Sequence, residues 1–158
     1  MVREQIENIA LLSIHPKYAH SILKGDKLVE FRKTKFKKPV KYCLIYSTSP
    51  DQKIIGFFEI KKIEENSPIN LWDKYGDVGQ IEEHDFLDYY HNSSLGVAIV
   101  INKAWKLQET FNSNTFKKDF SIPQSFMYLN DKFYQQFKFT ILRHLALYDF
   151  TEKTSFQV

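Results

Sequence analysis

The sequence predicts an α+β fold, a small mixed barrel with helices packed around it. Three observations predict it. Apolar segments of strand length follow one another from Lys27 to Ile63 with no room for crossover helices, which excludes a doubly wound parallel sheet. An early helix signal and a late one flank these segments. The 158 residues are 43% hydrophobic and 16% aromatic, enough to bury one core. No linker or internal repeat divides the chain, so one domain over residues 1–158 is expected.

The elements follow in order. LLSIHP alternates as a first strand and stops at Pro16. KYAHSILKG reads as a short helix, with Tyr18, Ile22 and Leu23 at helical spacing and Gly25 as its C-cap. KLVEFRK returns to period two, placing Val29 and Phe31 on one face and Leu28, Glu30 and Arg32 on the other. YCLIYSTSP and KIIGFFEIKKI, joined by a turn at Ser49-Pro50-Asp51, are apolar enough for strands buried on both sides. Ser67-Pro68 starts a helix, and a second helical piece spans Glu82 to Tyr90 with Phe86, Tyr89 and Tyr90 expected to face the core. LGVAIVINKAWKL is one long or bulged strand, or a hairpin. The following QETFNSNTFKKDFSIPQSF is loop-like. A helix capped by Asn130 or Asp131 covers about 130–149, with Tyr134, Phe137, Ile141, Leu145 and Tyr148 as its apolar stripe. The final TEKTSFQV is expected to fray.

Charge is unevenly spread on a chain whose net charge is only +3. Residues 17–41 carry nine basic side chains against Asp26 and Glu30, whereas 64–88 carry eight acids against Lys74 alone. A local basic stretch suits a polyanion, because phosphate contacts act locally and release counterions. The competing reading is a lysine-rich edge that resists aggregation. No apolar run reaches membrane-spanning length, and the N-terminus lacks the apolar core of a signal peptide, so a cytoplasmic location and no membrane partner are expected. The single cysteine, Cys43, offers neither a disulfide framework nor a zinc spacing.

LSIHPKYAHSILKGDKLVEFRK resembles the opening of ASCH domains of the PUA-like superfamily, whose signature is a helix ending in G-x-K-x-x-E-x-R. Gly25, Lys27, Glu30 and Arg32 fill every position. The resemblance continues through YCLIYSTSPDQKIIGFFEI and FLDYYHNSSLGVAIVI to IPQSFMYL, similar to a bacterial and phage subgroup, and covers roughly 12–129. It implies a PUA-like β-barrel with a cleft between barrel and helices, in a superfamily whose members bind RNA or modified bases. One branch removes the acetyl group of 4-acetylcytidine with a lysine, a threonine and a glutamate. Lys27 matches that lysine, while the threonine position is Glu30 here.

On physical grounds Glu30 and Arg32 share a strand face with alpha carbons roughly 6–7 Å apart. Lining a cleft, Arg32 would hold a phosphate or carboxylate, and Lys27 would serve as a cation or, if desolvated, a base. Outside a cleft the same residues form a surface ion pair. Ser13 and His15 end one strand, and Ser47, Thr48 and Ser49 end another, where small polar groups either cap turns or touch bases. Gln124 and Ser125 follow Pro123 in a loop suited to presenting an amide to a base edge. Phe126 and Tyr128 either stack on a base or fill the core. Lys33, Lys35, Lys37 and Lys38 are the expected phosphate contacts.

Two functions stand. The first is binding of RNA or a modified base in the cleft, with Lys27 charged as an anion contact. The second is a small hydrolase of a modified nucleoside or of RNA, using Lys27 and Glu30 as its catalytic pair. No cofactor is expected. His84, Asp88 and His91 share a helical face but read as a solvated surface rather than a metal site. Cys43 in an apolar strand reads as an inert thiol. Neither a P-loop nor G-x-G-x-x-G occurs.

Overall fold

The computed structural model describes residues 6–116 and 121–155, without the side chains of residues 115, 116 and 148–155. Its elements are β1 (Ile9–Ile14), α1 (Pro16–Lys24), β2 (Val29–Arg32), β3 (Tyr42–Ser47), β4 (Lys53–Asn66), α2 (Pro68–Tyr75), α3 (Glu83–Tyr89), β5 (Gly96–Asn112), α4 (Ser113–Phe116), β6 (Phe126–Tyr128) and α5 (Asp131–Ser155). The strands form one mixed sheet in the order β2-β5-β4-β3-β1-β6, curled into a half-barrel. Only β1 and β3 run parallel; the other neighbours are antiparallel. The α+β barrel class expected from the sequence holds.

The sheet centre is buried on both faces, which explains the near-continuous apolar runs. On β1, Ala10, Leu12 and Ile14 pack with Ala19 and Ile22 of α1. Ile9 and Leu11, pointing the other way, pack with Phe133, Phe137 and Ile141 of α5. β3 divides likewise: Cys43 and Ile45 face α1, Tyr42 and Leu44 face α5. Fully burying one such aliphatic or aromatic side chain contributes roughly 1.5–3 kcal/mol. A third cluster seats α2 and α3 on the β2–β5 edge through Leu71, Phe86, Tyr90, Val29 and Phe31.

Two local devices aim the chain at the site. Pro16 begins α1 while the His15 ring accepts from the Lys17 backbone N–H at 3.2 Å. Gly25, at φ 84°, closes the helix in the left-handed region, and the next two amides donate back to Ser21 O at 3.1 and 3.2 Å. This turn delivers Lys27 directly beneath the helices.

Four expectations need correction. Tyr89 does not join the core: it is 38% exposed, because the turn of α3 that buries Phe86 and Tyr90 leaves it on the rim. The loop-like segment after Leu107 instead continues β5 to Asn112, because β4 is long enough to pair it (Lys53 opposite Asn112). The same segment then holds α4, and it ends in β6, which β1 captures at its free edge. α5 runs on to Ser155 rather than ending near residue 149, since 151–155 hold no helix breaker. The long strand β5 decides between the alternatives left open for LGVAIVINKAWKL. Of the proposed α5 stripe, Phe137 and Ile141 are fully buried, and Tyr148 lies outside the described side chains. Among the described residues, no helix is long and apolar enough to cross a membrane.

Candidate functional site

A cavity of about 250 Å3 opens where the end of β1, the start of α1, strand β2 and helix α3 converge. That is just below the range of most ligand sites, roughly 300–1,000 Å3, and it suits one base rather than an oligomer. Lys27, Glu30 and Arg32 all line it, together with Ser13, His15 and Tyr18. The charge trio therefore faces a concavity.

Lys27 is 2% exposed. Its Nζ donates to Gly79 O and sits 5.0 Å from the Tyr18 ring centroid and 5.6 Å from that of Phe31. Gly79 is required for this approach, since a Cβ there would lie 2.5 Å from the Phe31 ring. Burial lowers the Lys27 pKa from its usual value near 10.5, while neighbouring Glu30 opposes that shift. Glu30 is 7% exposed, with Oε1 3.7 Å from Arg32 Nη1. Its Oε2 is buried and no protein donor reaches it. A desolvated carboxylate oxygen without a donor is costly, and a ligand N–H or O–H would relieve it.

Arg32 turns out to be structural as well. Its Nη2 donates to Ser125 O at 2.8 Å and to Ser125 Oγ at 2.9 Å, and Nη1 donates to Ser13 O at 3.3 Å. These bonds join β2, one edge of the sheet, to the residues entering β6, the other edge. Tyr90 OH donates to Arg32 O at 2.7 Å and fixes the same corner. Much of the guanidinium expected to hold a phosphate is thus committed to the barrel seam.

The ASCH domain family profile matches residues 12–104. The chain belongs to the ASCH domain family. An ASCH domain-containing ribonuclease of Zymomonas mobilis is 28% identical over 125 residues, covering 76% of this chain and 83% of that protein. The crystal structure of ASCH from Zymomonas mobilis matches at a TM-score of 0.76 and 26% identity, over 82% of this chain and 92% of that one. A Ureaplasma parvum protein named ATP synthase subunit alpha is 30% identical over 129 residues, which are 81% of this chain but span 16% of that relative.

The remaining residues of this ASCH chain divide by position. Ser125 and Gln124 line a recess of about 490 Å3 beside the cleft with Arg32, Lys33 and Tyr89. Ser13 Oγ donates to Pro123 O at 2.6 Å, which holds this loop in place. The Ser47–Ser49 turn does not line the cleft. Ser47 is fully buried and donates to Asp51 Oδ2 at 2.7 Å, and Asp51 also pairs with His20 at 2.7 Å. The His20–Asp51 contact ties this strand end to α1, and the Thr48 amide donates to Ile14 O at 3.0 Å.

The four expected phosphate contacts are exposed but not equivalent. Lys33 lies 4.7 Å from the Tyr89 ring centroid, Lys35 lies 3.7 Å from Glu65, and Lys38 lies 4.9 Å from the Tyr128 ring centroid. The backbone amides of Lys37 and Lys38 donate to Tyr128 OH at 2.8 and 3.2 Å. Phe126 meets Phe36 edge-on at 4.9 Å, so both aromatics of β6 brace this segment.

Sequence reasoning missed three site residues, Tyr18, Asp85 and Tyr89. Burial raises the Tyr18 pKa first, and Asp85 and Glu30 add to it; burial likewise raises that of Tyr89. The exposed face of α3 gathers His84, Asp85 and Asp88 within 4.8 Å of one another, with His84 3.2 Å from Asp85 and 3.6 Å from Asp88. Cys43 is fully buried, and desolvation raises its pKa well above that of a free thiol, so it is unreactive.

Proposed function

We propose that this ASCH domain handles RNA by drawing one unpaired nucleotide into the cleft. The carrying observation is Glu30, which lines a cavity of base-like size and whose buried Oε2 has no protein donor. A base N–H supplies the missing donor, while Lys27 and the rim lysines meet the flanking phosphates. The name of the Zymomonas relative supports an RNA ligand. The Pro123–Phe126 segment, which resembles that of the bacterial and phage subgroup, contributes Ser125 to the recess beside the site. Replacement of Glu30 by Gln swaps an acceptor oxygen for a donor. It should weaken a trinucleotide about tenfold, or about 1.4 kcal/mol, and change preference among bases. Unchanged affinity and preference would sink the reading.

A second reading is cleavage of RNA by transesterification, favoured by one feature: burial lowers the Lys27 pKa, which makes its ammonium a better proton donor. In that reaction Glu30 takes the proton of the 2′-hydroxyl, the 2′-oxygen bonds to the adjacent phosphorus, and the bond to the 5′-oxygen breaks as Lys27 protonates it. The products are a 2′,3′-cyclic phosphate and a 5′-hydroxyl. Incubation with short RNAs and with 4-acetylcytidine, followed by product analysis, separates this chemistry from deacetylation and from binding alone. Turnover that survives Lys27→Met excludes Lys27 as the donor.

A further inference from the structure

The segment 33–41 leaving β2 has the cleft recess at its start and a second concavity along its end. This groove measures about 590 Å3. Its lining carries Lys38, Lys41, Lys61 and Lys62 against one lining acid, Glu7, with Glu59 4.0 Å from Lys41. Its apolar lining comes from Phe36, Val40, Ile60 and Ile63.

The groove depends on an irregularity in β4. A regular strand sends successive side chains to opposite faces, yet the four consecutive residues Ile60–Ile63 all line this one groove. The pairing with β5 slips between Glu59 and Ile60 and again between Ile60 and Lys62. Such bulges re-aim side chains, and here both Lys61 and Lys62 border the groove. At the bulge the Ile60 amide donates to Lys41 O at 2.8 Å, fastening the basic segment to β4. Two lysines remote in sequence thereby join the basic run of 33–41.

We propose that this groove is a second RNA subsite, holding the backbone of the same unpaired strand whose nucleotide occupies the cleft. The inference rests on the cleft reading and extends it: the ligand is a single strand several nucleotides long, not a free nucleoside. Charge complementarity and continuity argue for it. Arg32, Lys33 and Thr34 line the cleft recess, and Phe36 and Lys38 to Lys41 line the groove, so one short segment connects the two. Lysines interleaved with an aromatic, apolar lining suit phosphates and base faces together, as single-strand sites do.

The test compares a trinucleotide with an oligonucleotide of about ten nucleotides, within the range one such site covers, for wild type, Lys61→Ala/Lys62→Ala and Glu30→Gln. Both lysines are exposed and should be replaceable without loss of fold, which circular dichroism checks. For the longer strand the double variant should flatten the log–log salt dependence by about 1.4, at ~0.7 per lost phosphate contact. It should also lose the affinity gained with length while binding the trinucleotide as wild type does. Loss of that gain in the double variant, with Glu30→Gln indifferent to both ligands, supports the groove and overturns the cleft. An unchanged slope and length gain in the double variant overturns the groove. Displacement of polyglutamate but not of RNA by the double substitution assigns the groove to an acidic protein and likewise overturns it.

Discussion

Arg32 donates to both the carbonyl and the hydroxyl of Ser125, at 2.8 and 2.9 Å, and so joins the two edges of the curled sheet. The residues are separated by 93 positions, and the bond holds the Gln124–Ser125 loop beside the cleft. The arginine of the G-x-K-x-x-E-x-R signature is therefore part of the frame that shapes the site.

Replacement of Arg32 by Ala should destabilise the protein by about 2 kcal/mol, the scale of losing hydrogen bonds from a charged group. Lys at this position should restore little, because one ammonium cannot span the fork-shaped set of acceptors. Ser125→Ala removes only the hydroxyl bond and should cost about 1 kcal/mol. Urea denaturation of the three variants measures this. Equal stability of Arg32→Ala and wild type would show that the seam is held by other contacts.

Much of this was legible in the residues, and the limits have physical causes. Gly25 marked the helix end, and strict alternation placed Val29 and Phe31 opposite Glu30 and Arg32, because both are local rules of backbone geometry. The seam was hidden because nothing local links Arg32 to Ser125. Strand β6 was missed because its three residues exist as a strand only by pairing with β1. Tyr89 and Tyr90 are adjacent on α3 and its cap, so only one of them, Tyr90, turns fully into the core. The Ser47–Ser49 turn resembles Ser13–His15 in sequence, but the bond from Ser47 to Asp51 and the sequence-distant contact from Asp51 to His20 tie it to α1.

Lys27 sets a pH dependence whose sign is fixed. Its folded pKa is lowered by burial, so between that value and about 10.4 the unfolded chain binds more protons. The buried ammonium thus costs stability at neutral pH, and the cost fades as pH rises through this window. Relative to Lys27→Met, wild type should gain stability as pH rises toward about 10.5. The comparison cancels the tyrosines with raised pKa that titrate nearby. A difference independent of pH would contradict the burial of Lys27.

The basic segment should act unevenly on RNA. Lys35 already lies 3.7 Å from Glu65, whereas Lys37 is exposed beside the segment's anchor on Tyr128. Lys37→Ala should flatten the log–log salt dependence of RNA binding by about 0.7, and Lys35→Ala by less. Titrations at several salt concentrations decide this. Equal effects would show that the Glu65 pair does not compete with phosphate.

The cleft itself is tested most directly by a crystal structure of the protein with a trinucleotide. The account predicts one base inside the cavity, with a ring or amino nitrogen about 3 Å from Glu30 Oε2 and a flanking phosphate toward Lys27 or Lys33. A trinucleotide bound elsewhere, with Glu30 Oε2 still lacking a donor, would contradict it.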